Sequence, residues 1–391
     1  MSDMKTPASG LSRRELLKAG AISISALCLA GVSGCAKEPA ARKTPSPQVA
    51  QKGFIRPKRS PWFSSLAQAR IRCELCPKQC ELADGERSLC RVRENRGGAG
   101  YTLVYGNPSL VQEDPVERKP FFHVAPASRV LSISTAGCNL ACKFCEAWDM
   151  ALVAPEEVHA YDMSPESVVA HARTAGVRAI SYAFGEPVAF YEYMVEVAAL
   201  AKEAGLMNLV HTAGYLQPEP LQELCGKLDA ANVDLKSFDP AFYRDVVGGE
   251  LEPVLRTLKL LRNANVHLEI TNIVIPTLND NLKIISRMCA WIVRELGADV
   301  PVHFARFYPL YKLSALPRTP VSTLDQAREA ALDAGLKFVY IAKVPGHEGE
   351  HTFCPGCKET LIKRMGFVIM ETHLENGRCK YCGTAIPGRW A

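Results

Sequence analysis

The stretch Thr135-Ala136-Gly137-Cys138-Asn139-Leu140-Ala141-Cys142-Lys143-Phe144-Cys145 decides how this chain is read. Its cysteines are spaced C-x3-C-x2-C. Three thiolates this close can hold three irons of a [4Fe–4S] cube and leave the fourth without a protein ligand. An open iron can bind a small molecule, so the motif implies reaction chemistry as well as electron storage. A zinc site would favour paired C-x2-C knuckles with four ligands, and a ferredoxin-type cluster would need a fourth cysteine.

Around this motif the chain alternates β-branched runs with amphipathic helical patterns. The patterning predicts strands at 130–134, 179–184, 208–212, 232–235, 267–273 and 302–307, with a possible further strand at 337–341. Helical patterns fall at 165–174, 191–204, 219–227, 254–263, 282–296 and 323–334. Repeated βα units imply an α/β fold with a parallel sheet and helices outside it. Six units suggest an incomplete (β/α)6 TIM-like barrel, whose active residues belong at the carboxyl ends of the strands.

The cysteine loop follows the first predicted strand. The second ends in Gly185-Glu186-Pro187, which read alone is a common kind of tight turn. The third ends in His211-Thr212-Ala213-Gly214. The fourth ends in Asp234-Leu235-Lys236, whose Asp and Lys, two apart on a strand, share one face. Read alone, that pair could equally be an exposed ion pair, and His303 on the sixth strand a structural histidine.

Taken together, the C-x3-C-x2-C motif with Phe144 before its last cysteine, Gly185-Glu186-Pro187 and Asp234-x-Lys236 resemble the radical SAM superfamily. The resemblance implies a [4Fe–4S] cluster on Cys138, Cys142 and Cys145 that chelates S-adenosylmethionine (SAM). It also implies SAM contacts at Phe144, Gly185, Glu186, Pro187, Thr212, Asp234, Lys236 and His303, and an adenine-side loop at 275–280.

Further segments at 73–80, 234–238 with 242–243, 251–260, 275–280, 301–309 and 354–390 resemble the radical SAM component of the AmmeMemoRadiSam system. That component belongs to the pyruvate formate-lyase activating enzyme-like group. The resemblance covers nearly everything from residue 70 to 390 and implies AMMECR1-like and Memo-like proteins as partners. This chain departs from the pattern in four places. Glu146-Ala147 stands where relatives carry Gln-Asn, Phe184-Gly185 where many have Tyr-Asn, Ala213 where an Asn is usual, and Ala342-Lys343 where Gly-Asn is usual.

The chain has 15 cysteines, and eleven fall into groups of four, three and four. Grouping at ligand spacing favours metal sites over a disulfide framework, and Cys225 and Cys289 stand alone in helical patterns as core residues. Cys73, Cys76, Cys80 and Cys90 form a closed site for either zinc or a second iron–sulfur cluster. Cys354, Cys357, Cys379 and Cys382 form two knuckles around a β-like run at 361–372. That is the plan of a zinc ribbon, with a rubredoxin-like iron as the alternative.

With 48% hydrophobic and 22% charged residues, the composition suits one large domain with small additions. A net charge of +5 without a long basic run in the body excludes an obvious nucleic-acid binder. Residues 1–35 look like a targeting segment. Ser12-Arg13-Arg14-Glu15-Leu16-Leu17-Lys18 resembles a twin-arginine export signal, and Val32-Ser33-Gly34-Cys35 a lipobox that would lipidate Cys35. The expected organisation is therefore the signal at 1–35, a disordered tether at 36–60, a four-cysteine segment at 61–128, the barrel at 129–343 and the ribbon at 344–391. The mature protein would be lipid-anchored on the extracytoplasmic face of a membrane.

The expected activity is reductive SAM cleavage to a 5′-deoxyadenosyl radical that abstracts hydrogen from a substrate, which could be a protein glycine, another protein target or a small molecule. A low-potential electron donor is required. The alternative is a lipid-anchored iron–sulfur electron carrier without SAM chemistry.

Overall fold

The computed structural model describes residues 49–390. The twin-arginine-like segment, Cys35 and tether residues 36–48 lie outside the described residues. An eight-stranded sheet dominates the fold: β1 (Leu110–Pro115), β2 (Arg129–Ser134), β3 (Ala179–Tyr182), β4 (Met207–Thr212), β5 (Ala230–Asp234), β6 (His267–Val274), β7 (Val302–Arg306) and β8 (Val339–Ala342). The strands lie in sequence order across the sheet, from β8 at one edge to β1 at the other. β2 to β8 run parallel, and β1 pairs antiparallel with β2.

Such strands are apolar on both faces because helices cover one side and the barrel interior the other. Ala179-Ile180-Ser181-Tyr182 of β3 is buried at every position. The covering helices are α1 (Pro165–Thr174), α2 (Tyr191–Glu203), α3 (Pro218–Cys225), α4 (Leu251–Asn263), α5 (Leu282–Glu295) and α6 (Val321–Asp333). Their starts follow local chemistry. Ser164 caps α1 through the Ser167 N–H at 3.3 Å, with Pro165 at the first helical position. Asn281 caps α5 through the Lys283 N–H at 2.9 Å. α4 buries Leu251, Val254, Leu255, Leu258 and Leu261, the three-and-four spacing of a helix with one apolar face.

The six predicted strands are all present, and the possible seventh is the edge strand β8, so the incomplete barrel carries seven parallel strands. β1 was not legible. Its sequence Leu-Val-Gln-Glu-Asp-Pro lacks period-two alternation, and it is fixed by pairing with β2 along its whole length.

Two expected boundaries need correction. Residues 49–60 are not a disordered tether: Gln51–Lys52 pairs with His159–Ala160 and Lys58–Arg59 with Tyr101–Thr102. Backbone pairing holds this polar segment, together with an Arg56–Asp162 ion pair, so no apolar period announces it. The four-cysteine segment also ends earlier than 128. β1 belongs to the main sheet, and Val116, Phe121 and Val124 pack under Val130, Ala179, Leu209 and Ala230 at the amino ends of the strands.

The carboxyl-terminal unit contains β9 (Thr352–Phe353), β10 (Thr360–Met365) and β11 (Val368–Thr372), all antiparallel. It packs through Leu361 and Ile362 on Phe122, Phe338 and Tyr340 of the barrel. Among the described residues no helix is long and apolar enough to cross a membrane.

Candidate active site

A cavity of about 710 Å³ opens at the carboxyl ends of the parallel strands. Cys138, Cys142, Cys145, Phe144, Gly185, Glu186, Thr212, Asp234 and Lys236 all line it. They come from four successive strand ends spread over about a hundred residues of sequence, and the sheet alone brings them together.

The three thiols sit on the loop after β2. Gly137 turns this loop with φ +97°, and Leu140 N–H points at Cys138 Sγ at 3.4 Å. Asn139 holds the loop to β4's exit by donating to the Tyr215 carbonyl at 2.6 Å. Without a metal, burial pushes the Cys142 thiol up to about 11 and raises Cys138 and Cys145 as well. A bound cation would reverse this, so loading the site should release protons.

Glu186 caps the short helical turn after β3. Its Oε1 accepts from Thr212 Oγ1 at 2.6 Å and from Val188 N–H at 3.1 Å, and its Oε2 from Ala213 N–H at 2.8 Å. Burial raises its pKa, and these donors only partly offset that rise. A carboxylate has about four acceptor directions, so roughly one is left for a ligand donor. Phe184, two residues earlier, has φ +72°, an uncommon conformation for an aromatic residue. Gly185 takes the place where a Cβ would stand 2.6 Å from Ser134 Oγ.

Buried Lys236 pairs with half-buried Asp234 at 2.9 Å, and His211 Nε2 lies 2.9 Å from the other Asp234 oxygen. Burial alone would raise the Asp234 carboxyl, but Lys236 and then His211 hold it well below the usual range. Burial opposes the Lys236 charge too, and Asp234 more than restores it. This is a fixed ammonium beside the thiols, not the exposed ion pair that sequence alone allowed. Asn279 Nδ2 donates to the Lys236 carbonyl at 2.8 Å. The loop at 275–280, expected on the adenine side, thus braces Lys236 from behind and is not among the cavity-lining residues.

Two expected contacts lie elsewhere. Pro187 is buried at the start of the helical turn, and only its neighbours Gly185 and Glu186 line the cavity. His303 lies one pleat below Ala305, the β7 residue that reaches the cavity. It is fully buried, with Nε2 2.7 Å from Glu269 Oε2. Glu269 also accepts the backbone N–H of Phe122 at 3.1 Å and of His123 at 2.9 Å. His303 therefore belongs to a polar layer that ties the segment before β2 into the barrel, and it is corrected to a structural residue.

The opposite wall was not read from the sequence. Glu117, Arg118 and Lys119, on the turn between β1 and β2, line the cavity with Phe184. Lys119 Nζ lies 3.5 Å from the centre of the Phe184 ring and 2.5 Å from Asp114 Oδ2. Burial lowers its pKa to about 8, against the pull of Asp114. Glu117 is buried, and one of its carboxylate oxygens has no partner. Trp148 stacks on Tyr311 with centroids 5.4 Å apart, and Lys343 and Glu146, both lining the cavity, form an ion pair. These last two are both departures from the family pattern, and each answers the other.

The ribbon's four thiols are gathered, with Cys354 and Cys382 sulfurs 3.5 Å apart and Cys357 and Cys379 sulfurs 3.7 Å apart. Four sulfurs about 2.3 Å from one tetrahedral ion lie about 3.8 Å from each other. Each knuckle ends on a left-handed residue, Lys358 at φ +67° and Gly383 at φ +74°. All thirteen described cysteines are free thiols.

The radical SAM superfamily model matches residues 132–287. An uncharacterized protein of Methanocaldococcus jannaschii is 40% identical over 327 residues, 83% of this chain and 97% of the relative. A pyruvate formate-lyase-activating enzyme of Clostridium pasteurianum is 25% identical over 180 residues, 44% of this chain and 73% of the relative. A solved domain of a pyruvate-formate lyase-activating enzyme from Bacteroides vulgatus is 18% identical, covering 42% of this chain and 98% of the domain at a TM-score of 0.38. With the cysteine loop and the open parallel barrel in place, the chain belongs to the radical SAM superfamily. It is an enzyme of that class, with similarity to the activating-enzyme group.

Proposed function

We propose that the cavity binds SAM against a [4Fe–4S] cluster on Cys138, Cys142 and Cys145, and a second substrate against the Glu117–Lys119 wall. When bound, cluster and SAM together supply reductive cleavage to methionine and a 5′-deoxyadenosyl radical, which abstracts hydrogen from the substrate. The chain's own residues orient the reactants. Glu186 offers its remaining acceptor direction to the SAM amino group, and the fixed Lys236 ammonium faces the SAM carboxylate. Phe144 shields the cysteine loop from water, with its ring 5.7 Å from Lys236 Nζ. The Lys119 cation, held over Phe184, offers charge to an anionic or carbonyl group of the second substrate.

One observation carries this reading: a buried carboxylate, a buried ammonium and three thiols from separate strand ends line a single cavity. A pure electron carrier has no use for such a cavity, so the carrier alternative lacks support. Addition of SAM to the reduced, reconstituted protein should shift the cluster's electron paramagnetic resonance (EPR) signal. An unchanged spectrum at saturating SAM would remove SAM from the site.

The substrate class remains that of the activating-enzyme resemblance, a carbon–hydrogen bond on a polypeptide or a small molecule. AMMECR1-like and Memo-like proteins are the proposed partners, and a low-potential protein the proposed electron donor. The ribbon is proposed to hold zinc, whose binding energy would fold a segment with few apolar residues. Export by the twin-arginine route and lipid attachment at Cys35 are proposed from the amino-terminal motif. Metabolic labelling with palmitate, lost in Cys35→Ala, tests the lipid attachment.

A further inference from the structure

We propose that Cys73, Cys76, Cys80 and Cys90 hold a second [4Fe–4S] cluster that passes electrons to the cluster on Cys138, Cys142 and Cys145. Sequence leaves zinc and iron–sulfur both open at this site, and the geometry separates them.

The three cysteine groups of this chain provide an internal comparison. The ribbon's four sulfurs all lie within 4.8 Å of one another, and among the described residues no other set of three ligand atoms does. The radical SAM thiols and the amino-terminal four are both more widely spread. A single ion draws its ligands to one point, whereas a cube seats each thiolate on a different iron and spreads them. The amino-terminal four thus share the spacing class of the cluster loop and not that of the ribbon.

They also face one shared space. All four line a small cavity between the strand Ile71–Cys73 and the turn at 88–90. Cys73, Cys76 and Cys90 are buried, and Cys80 is half-buried. A polar donor is aimed at one of the sulfurs: Ser88 Oγ lies 2.9 Å from Cys90 Sγ. Hydrogen bonds to sulfur tune cluster potentials. The Arg93 guanidinium, buried and fixed on Glu192 at 2.5 Å, places a cation next to Cys73 and Cys90. An electron added to an anionic cluster is favoured there.

The position supplies the electron path. Asn139, which follows Cys138, and Val188, two residues beyond Glu186, form the far wall of this same cavity. Gly137 packs so closely that a Cβ there would stand 3.0 Å from the Cys90 carbonyl oxygen and 2.5 Å from Val92 Cγ1. Leu75 accepts a hydrogen bond from Gln217 N–H at 3.0 Å, beyond β4. Residues 137–139 of the cluster loop therefore pack directly against the amino-terminal cysteine segment. In the proposed step, one electron from a reduced low-potential donor protein, or from dithionite in vitro, enters the amino-terminal cluster. It then moves to the catalytic cluster without any bond being made or broken.

The radical SAM reading supplies the destination of the electron, but the metal at the amino-terminal site can be tested without it. The full chain carrying C138A, C142A and C145A is reconstituted anaerobically, and iron, sulfide and zinc are counted. The proposal expects about four irons and four sulfides per chain, and a dithionite-dependent EPR signal that SAM leaves unchanged. One zinc and no iron at this site would overturn it. The relay is tested in the unaltered chain. Fully reduced protein should show magnetic interaction between two reduced clusters, absent from the triple variant. Two independent, additive signals would overturn the relay.

Discussion

Replacing Glu186 with Gln tests the geometry of the SAM end most sharply, because the change keeps shape and removes one charge. The carboxylate uses three of its acceptor directions on Thr212, Val188 and Ala213. A glutamine can keep its oxygen toward Thr212 and Val188 only by turning its NH2 group toward the Ala213 N–H. Two buried donors then face each other, at a cost of about 1–3 kcal/mol in folding stability. The remaining direction, which the proposed function gives to the SAM amino group, would lose a charge-assisted hydrogen bond worth about 1.5–3 kcal/mol. That corresponds to SAM binding weakened by about 10-fold to 150-fold. Equilibrium dialysis of labelled SAM against reconstituted protein, with iron content matched between variant and parent, reads this directly. A dissociation constant within twofold of the parent would refute the placement of SAM at Glu186.

Lys119 should titrate near pH 8 while ordinary lysines titrate above about 10. Below pH 8 Lys119 adds its charge to that of Arg118 in the substrate wall, and above it that charge is lost, so an anionic substrate group binds less well as pH rises through 8. Carbon-13 shifts of the lysine side chains, compared with Lys119→Met, would expose an unperturbed lysine. Gly137→Ala should be severely destabilising, since it needs φ +97° and its Cβ would meet Val92 and the Cys90 carbonyl. A soluble, cluster-loaded variant with parental melting behaviour would contradict the close packing of the two cysteine segments. Separating Glu146 from Lys343 by either single alanine should cost at most about 1 kcal/mol, as for other exposed pairs. The charge-reversed pair E146K/K343E should recover the loss, and a double-mutant cycle with no coupling would mean that the two departures are unrelated. Removing the ribbon metal with a chelator should raise hydrogen exchange across 352–386 and leave β2–β6 protected; uniform protection would argue that the ribbon folds without metal.

Most of the residues that meet in the cavity were legible because each group of them is local. The spacing of Cys138, Cys142 and Cys145, the Gly185-Glu186-Pro187 turn and the Asp234/Lys236 pair are each contained in a few residues that follow an apolar run. The helices and six strands were legible for the same reason, from period and caps. What escaped depends on tertiary contact. Lys119 lies in an ordinary-looking Glu-Arg-Lys-Pro run, and only β1 and Asp114 turn it under Phe184. His303 occupies the right strand, but one pleat too deep, where Glu269 claims it. Residues 49–60 look like linker because their order comes from backbone pairing with 101–102 and 159–160. The difference between a single-ion site and a cluster site at the amino-terminal cysteines is one of sulfur separation, which spacing along the chain does not encode.

The most direct measurement is product formation by the reconstituted full chain under anaerobic conditions, with dithionite as reductant and SAM in excess. Chromatography should find 5′-deoxyadenosine and methionine in equal amounts, and Cys142→Ala should abolish both. No 5′-deoxyadenosine from a chain carrying its full iron complement, or formation that survives the loss of Cys142, would contradict radical chemistry at this cavity.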